Sequence, residues 1–147
     1  MQDFLILHVE DEEDDVLFIQ QAFKKAGITN PLKAVEDGQS AIDYLAGTGK
    51  YAERQQYPLP AMVLLDLNLP GQSGFDVLKW IRNHPELKRT IVVVICSSSQ
   101  NLPDINAAYD LGANGYVVKP ATFPGLVELA KAIRDYWLIF NQRPNQV

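Results

Sequence analysis

The sequence has few of the features that mark secreted or membrane proteins. Its 147 residues include one cysteine, Cys96, so no disulfide can form within the chain and a disulfide-stabilised fold is excluded. The longest apolar runs, 61–65 and 91–96, are far shorter than the roughly 20 residues of a membrane-spanning helix. No basic segment precedes the first apolar run, as it would in a signal peptide. We therefore expect a cytoplasmic protein with no membrane partner.

Positive charge is also scarce. The 13 Lys and Arg residues against 18 Asp and Glu give a net charge of −5, which argues against a nucleic-acid partner. The apolar fraction of 47% and the charged fraction of 21% are near the averages of globular proteins. A chain of about 150 residues can bury roughly 70% of its unfolded surface. We expect one domain over residues 1–141, followed by a short polar tail at 142–147.

Short apolar segments alternate with longer segments of helical spacing along the whole chain. The predicted strands are 4–9, 32–35, 61–65, 91–96 and 115–118. Strands that alternate with helices form a parallel sheet covered on both faces. The predicted fold class is therefore α/β, a flavodoxin-like (βα)5 fold whose doubly wound, five-stranded parallel sheet has the strand order 2-1-3-4-5.

Two segments need separate interpretation. The last predicted helix has an apolar stripe at helical spacing, with Thr122 as its N-cap: Leu126, Ala130, Ile133, Trp137 and Phe140. We expect Trp137 to face the core, whereas Phe140 fits either the core or a partner surface. The polar segment 47–60 interrupts the alternation and predicts a long loop or a helix extension followed by a loop.

Acidic residues follow two strands that the predicted order makes neighbours. Glu10 and Asp11 come directly after the first strand, and Asp66 ends the third. Ligands of open parallel sheets bind outside the carboxyl ends of the strands, where the strand order reverses. Converging carboxylates repel each other and raise one another's pKa unless a cation lies among them. The sequence thus predicts a site for a hard ion, Mg²⁺ above all.

Hydroxyl and ammonium groups follow the remaining strands. Ser97 and Ser98 come after the fourth strand, and Lys119 comes after the fifth, immediately before Pro120. A carboxylate surrounded by a metal, a hydroxyl and a lysine is suited to accept a phosphoryl group. The glycine-rich phosphate loop of nucleotide hydrolases is absent from the sequence.

Four sequence motifs together resemble the receiver domain of two-component response regulators. They are His8-Val9-Glu10-Asp11, residues 64–71 with Gly74, Ser97-Ser98, and residues 112–120. The resemblance covers about residues 4–140, and the order and spacing of the motifs make it specific.

The resemblance implies a role for each motif residue. It makes Asp66 the phospho-acceptor, Asp11 a direct Mg²⁺ ligand beside Glu10, and Asn68 a ligand through its backbone carbonyl. Ser97 would be the switch hydroxyl that binds the phosphoryl group, and Tyr116 the aromatic residue whose rotamer changes with it. Lys119 would be the cation of the site, and the Lys119–Pro120 peptide bond would be cis. The spacing from Lys119 favours Ser97 over Ser98 without excluding the latter.

The resemblance also implies a stand-alone signalling protein without a DNA-binding output domain. It would take a phosphoryl group from a sensor histidine kinase or a histidine phosphotransfer protein, and signal through the face formed by helix 4, strand 5 and helix 5. The segments 47–60 and 135–138 are similar to those of regulators paired with bacterial phytochromes, which makes a bacteriophytochrome a candidate kinase. A homodimer through the last helices is a further expected partner. We expect no enzyme beyond its own phosphotransfer and autodephosphorylation.

Three rival functions remain to be compared. A receiver fold used only for protein–protein interaction would lack one of the motif residues, and none is missing. A hydrolase of the haloacid dehalogenase kind usually needs a second aspartate where this chain has Asn68, and a flavodoxin needs a phosphate loop where it has Glu10–Glu13. The remaining acids up to Asp15 are predicted to be first-turn residues of a helix, and His8 and Cys96 to be packed in the core.

Overall fold

The computed structural model describes residues 4–144 and contains one five-stranded sheet. All neighbouring strands pair in parallel, in the order β2-β1-β3-β4-β5, as predicted. The strands are β1 Ile6–Val9, β2 Leu32–Val35, β3 Met62–Leu65, β4 Val92–Ser97 and β5 Gly115–Val118. Because β1 pairs with both β2 and β3, the strand order reverses between β1 and β3.

Five α-helices connect and follow the strands. They are α1 Glu13–Lys25, α2 Gly38–Ala46, α3 Gly74–Arg82, α4 Leu102–Asp110 and α5 Phe123–Ile133. Side chains close the first turns of α3 and α5: Ser73 and Asp76 form a reciprocal capping box on α3, and Thr122 accepts from the Gly125 N–H on α5. Thr122 is therefore the N-cap that the sequence predicts.

The helices cover the two faces of the sheet in separate layers. One apolar cluster joins α1 and α5 to Ile6, Leu64 and other strand residues of the same face. The other joins α2, α3 and α4 to the opposite face, which carries Leu7 and Val63. Adjacent strand residues thus enter different cores, so both faces of the strands must be apolar, as their continuous hydrophobic runs indicate.

The 47–60 segment is a loop with a single 3₁₀ turn at Gly49–Tyr51. Arg54 anchors it to the end of α2, because its guanidinium donates to the carbonyls of Tyr44 and Leu45 at 2.7 and 2.8 Å. Tyr44 packs in turn against Tyr51 and Tyr57. The segment is therefore packed rather than extended into solvent.

The last helix departs from the predicted stripe. Regular α-helix ends at Ile133, and Arg134–Phe140 form a π-helical segment. The wider turn places Leu138, five residues after Ile133, in the core. Phe140 is 74% exposed, whereas Trp137 is partly buried against the core. The predicted core position of Trp137 is thus confirmed, the stripe is wrong at Phe140, and Leu138 is a core residue that the stripe did not include.

At the amino ends of the strands, Arg82 links three parts of the chain. Its guanidinium donates to the carbonyls of Gly112 and Ile91 and to the Asn114 side chain, at 2.8, 2.9 and 2.7 Å. Asn114 also accepts from the Val93 N–H at 2.8 Å. The end of α3 is therefore tied to the beginnings of β4 and β5.

Residues 141–144 have no regular secondary structure, and the rest of the predicted tail at 142–147 lies outside the described residues. Among the described residues, no helix is long and apolar enough to cross a membrane.

Candidate functional site

Backbone pairing places the predicted site residues at one edge of the sheet. The N–H of Glu10 donates to Val35 at 3.0 Å, and the N–H of Asp66 donates to Val9 at 3.1 Å. The N–H of Lys119 donates to the Ser97 carbonyl at 2.8 Å. Sheet pairing thus continues past the strand ends, so these residues are held by the sheet itself and not by mobile loops.

Three carboxylates meet at this edge. Glu10, Asp11 and Asp66 each offer one oxygen, and these oxygens lie within 4.8 Å of one another. Glu10 and Asp66 are buried, whereas Asp11 is exposed. An all-oxygen, partly solvent-accessible donor set fits a hard divalent cation that keeps part of its water shell. The predicted cluster is therefore assembled, with the chemistry of a divalent-metal site.

Lys119 supplies the positive charge of the site. Its ammonium contacts Glu10 closely and lies 3.8 Å from Oδ2 of Asp66. A third carboxylate, Asp15 in the first turn of α1, lies 3.0 Å away. From the sequence, Asp15 is predicted only to be a first-turn residue of a helix. Its position four residues before the buried Ile19 was the available indication that it faces the sheet.

Two opposing effects set the pKa values of the site: burial disfavours the charged forms, and hydrogen bonds between opposite charges favour them. Desolvation raises the pKa of Glu10 to about 7, although the hydrogen bond from Lys119 opposes this. Burial also raises the pKa of Asp66, against the attraction of Lys119. For Lys119, burial alone would lower the pKa, but hydrogen bonds to Glu10 and Asp15 raise it above its usual range. Lys119 is therefore charged at neutral pH. A cation bound among Glu10 and Asp66 would stabilise their ionised forms and lower their pKa values.

The loop after Asp66 is shaped by a close approach of α3. Gly74 donates its N–H to the Leu67 carbonyl at 3.0 Å, and a Cβ on Gly74 would lie 2.2 Å from the Asp66 carbonyl oxygen. Only glycine permits that contact. Asn68 is exposed, and its N–H lies 3.5 Å from Oδ1 of Asp66. Its predicted role as a carbonyl ligand of the metal stays a prediction.

The hydroxyl side of the site lies at the end of β4. Ser97 is buried and accepts from the Ser99 N–H at 3.2 Å, whereas Ser98 is exposed. Tyr116 is half-buried and donates its hydroxyl to the Ser99 carbonyl at 2.9 Å. The tyrosine thus contacts the same short loop that follows Ser97. The switch roles of Ser97 and Tyr116 remain predictions.

One prediction at the site is wrong. No cis peptide bond occurs among residues 4–144, so the Lys119–Pro120 bond is trans. The trans form of such a bond is favoured by about 0.5–1 kcal/mol. Pro120 lies close to the first turn of α5, because a Cβ on Gly125 would lie only 2.8 Å from Pro120 Cβ.

His8 and Cys96 lie in the core near the site, as predicted. Burial, aided by the nearby Lys119 charge, lowers the pKa of His8 to about 4. Burial raises the pKa of the Cys96 thiol to about 12. His8 is therefore neutral at physiological pH and Cys96 is an unreactive thiol, which fits neither a phospho-donor nor a nucleophile.

Asp66 lies between the carboxylate cluster and Lys119. It belongs to the carboxylate cluster on one side and lies within ion-pair distance of Lys119 on the other. A group bound at its carboxylate would therefore face both a divalent cation and an ammonium. Such an arrangement neutralises the charge of a transferring phosphoryl group.

Comparison with known proteins gives a consistent family. Residues 6–131 match the family described as "Response regulator receiver domain". The "Probable methanogenesis regulatory protein FilR2" of Methanothrix harundinacea is 38% identical over 141 residues, 96% of this chain and 88% of that protein. The response regulator Rcp1 of Synechocystis sp. is 37% identical over 134 residues, 91% of this chain and 88% of that protein.

Solved structures agree in fold and extent. The crystal structure of the phosphorylated cyanobacterial phytochrome response regulator RcpA is 37% identical, with a TM-score of 0.89 over 98% of this chain and 100% of that chain. The Mn²⁺-bound form of Rcp1 is 34% identical, with a TM-score of 0.85 over 97% of this chain and 99% of that chain. The likeness therefore spans the entire fold, not the site alone.

Proposed function

The chain belongs to the response regulator receiver domain family, and on that premise we propose that it accepts a phosphoryl group on Asp66 from a phosphohistidine. The observation that carries the proposal is the position of Asp66, which lies in the carboxylate cluster and 3.8 Å from the Lys119 ammonium. The phosphorylated state of RcpA, a relative of the same extent, supports it.

The transfer would proceed by in-line displacement at phosphorus. An oxygen of Asp66 forms the new bond to phosphorus while the bond from phosphorus to the donor nitrogen breaks. The nitrogen keeps the electron pair and takes a proton from solvent. Lys119 neutralises charge on the phosphoryl oxygens throughout, and the acyl phosphate that forms is later hydrolysed by water.

We propose Mg²⁺ as the cation of the carboxylate cluster. Glu10, Asp11 and Asp66 would hold it, with the Asn68 carbonyl as a further ligand. When bound, Mg²⁺ neutralises charge and orients the phosphoryl oxygens. The Mn²⁺-bound form of Rcp1 supports a divalent ion of this size and hardness.

The output would be a change at the face of α4, β5 and α5. Ser97 would move its hydroxyl toward the phosphoryl oxygens, and the Ser99 N–H that it now accepts from would lose that partner. Tyr116, bonded to the Ser99 carbonyl, would respond because it shares that loop. The phosphoryl group would thus shift the face of α4, β5 and α5 between two conformations, and the fold would stay the same.

The partners are proposed on the same basis. A sensor histidine kinase, such as a bacteriophytochrome, or a phosphotransfer protein would supply the phosphoryl group in the cytoplasm. The phytochrome regulators among the similar structures support this choice. We also propose a homodimer through the last helical segment, because Ile139 and Phe140 expose 51% and 74% of their surfaces there.

Intact-protein mass spectrometry tests the phosphotransfer. We expect incubation with acetyl phosphate and Mg²⁺ to add one phosphoryl group, because Asp66 needs only a suitable donor. The Asp66→Asn variant and a chelator-treated sample should show no adduct. Asp110→Asn is a matched control, because Asp110 is an exposed carboxylate at the end of α4 and its variant should still be modified.

An adduct that persists in Asp66→Asn would contradict the assignment of the acceptor. No adduct on the unmodified protein, with acetyl phosphate and with a purified kinase domain, would leave the fold as an interaction module. That rival function predicts normal folding with no chemistry at the carboxylate cluster.

A further inference from the structure

Lys119 has a carboxylate partner that the proposed phosphotransfer does not require. Its ammonium donates to Glu10 and, at 3.0 Å, to Oδ2 of Asp15. Asp66 lies farther away, at 3.8 Å, which is an ion-pair distance rather than a hydrogen bond. In this structure the lysine is thus bound more closely to α1 than to the residue it would serve.

We propose that Asp15 is a positioning residue that holds Lys119 in the resting protein and competes for it with the phosphoryl group on Asp66. This inference rests on the proposed function. Two of the three N–H donors of the ammonium serve Glu10 and Asp15, so one donor remains, and phosphoryl oxygens on Asp66 can take a second donor only by displacing one of these partners. Glu10 is fully buried and belongs to the metal cluster, so Asp15 is the partner that can be released.

The surroundings of Asp15 make its release easy. Its side chain is 41% exposed, so water can solvate the carboxylate once the lysine leaves. Asp15 also lines a cleft of about 280 Å³ between α1 and the connection from β5 to α5, together with Phe18 and Thr122. The carboxylate therefore lies at an open surface and is not left buried without a partner.

The lysine side chain has space to change its conformation. A cavity of about 30 Å³ lies beside it, lined on the core side by His8, Cys96 and Ile19. In a closely packed core, a buried aliphatic side chain normally has no space to change its rotamer. The ammonium already lies 3.8 Å from Oδ2 of Asp66, so a shift of about 1 Å brings it within hydrogen-bond distance without displacing the strands.

The test measures binding of beryllofluoride, a phosphoryl mimic, in saturating Mg²⁺ by isothermal titration calorimetry. We expect Asp15→Asn to bind about two- to fivefold more tightly than the unmodified protein, because Lys119 is no longer held by a partly exposed carboxylate. Asp15→Ala should show the same gain, and Asp15→Glu should restore the original affinity. A gain of affinity is a result that damage to the structure would not produce.

Asp14→Asn is the matched control. Asp14 is the preceding exposed acid of α1, so its variant loses the same charge and the same helix-dipole interaction, but Asp14 is not a partner of Lys119. Equal affinities for Asp15→Asn and Asp14→Asn, with normal binding by the unmodified protein, would overturn this inference alone. No binding by the unmodified protein would overturn the proposed function and this inference with it.

Discussion

At the scale of single residues, the geometry around Asp66 depends on the absence of a side chain at Gly74. The Asp66 carbonyl oxygen would lie 2.2 Å from a Cβ at that position, and Leu67 Cα would lie 2.8 Å from it. Both neighbours are backbone atoms of the loop that carries the acceptor, so they cannot move aside without moving Asp66. The first turn of α3 is therefore part of the site although it contributes no chemical group.

We predict that Gly74→Ala destabilises the protein by about 2 kcal/mol or more, through overpacking against backbone, and slows acetyl phosphate modification of Asp66 at least tenfold. Urea denaturation and a phosphorylation time course measure the two effects. Gly115→Ala is the control, because a Cβ there meets Val94 at an ordinary 3.8 Å. Equal behaviour of the two variants would contradict the role given to the close approach.

Residue-level prediction succeeded where the fold topology determines position. Glu10, Asp66 and Lys119 were placed together from sequence because the carboxyl ends of parallel strands meet at one edge. Asp15 was missed because it reaches the site from a helix face, whose orientation depends on packing against the sheet. The isomer of Pro120 was predicted wrongly because the resemblance, not the local sequence, supplied it.

At the scale of elements, the last helix shows why spacing alone was insufficient. The stripe ending in Trp137 and Phe140 fits an α-helix in sequence, and one π-helical turn changes which residues face the core. The choice between the two kinds of helix depends on the burial of Leu138 in the apolar cluster that α1, α5 and the strands also form, which no local pattern contains. The strands and the other helices were predictable because their apolar runs and caps are local.

The same segment carries the prediction about self-association. We expect the unmodified protein to sediment as a dimer at micromolar concentration, and Ile139→Ser with Phe140→Ser to sediment as a monomer, because burial of two large side chains would be lost. Analytical ultracentrifugation measures both. Leu59→Ser, a change of an exposed apolar residue in the 47–60 segment, should leave the dimer intact. A monomeric unmodified protein would contradict the proposal.

At the scale of the whole molecule, the shifted pKa values of the site residues make stability depend on pH. The pKa of Glu10 rises from 4.5 to about 7 on folding, and that of Asp66 also rises, so the folded protein binds more protons than the unfolded chain. Stability from these groups is present at low pH and is lost as pH rises through about 7. The lowered pKa of His8 has the opposite effect on stability, but only between about pH 4 and pH 6.5.

We therefore predict that the metal-free protein loses about 1 kcal/mol of unfolding free energy between about pH 6.5 and 8. Excess Mg²⁺ should restore it, and should stabilise more at the higher pH, because ionised carboxylates bind the cation. Urea denaturation in chelator and in Mg²⁺ measures both. Glu10→Gln should lose much of the pH dependence, and equal or greater metal-free stability at pH 8 would contradict the prediction.

The Arg82 links have a consequence for how motion is distributed in the molecule. They fasten the beginnings of β4 and β5 to α3, whereas Ser97 and Lys119 lie at the opposite ends of those strands. The beginnings of the two strands are therefore held by side-chain hydrogen bonds from α3, whereas their carboxyl ends are held by sheet pairing. We expect a displacement that begins beside Asp66 to be larger at the carboxyl ends than near Arg82. If Asp66 is phosphorylated as proposed, we expect amide exchange to change near Ser97 and Lys119, while the amides near Arg82 stay as slow to exchange as those of the core.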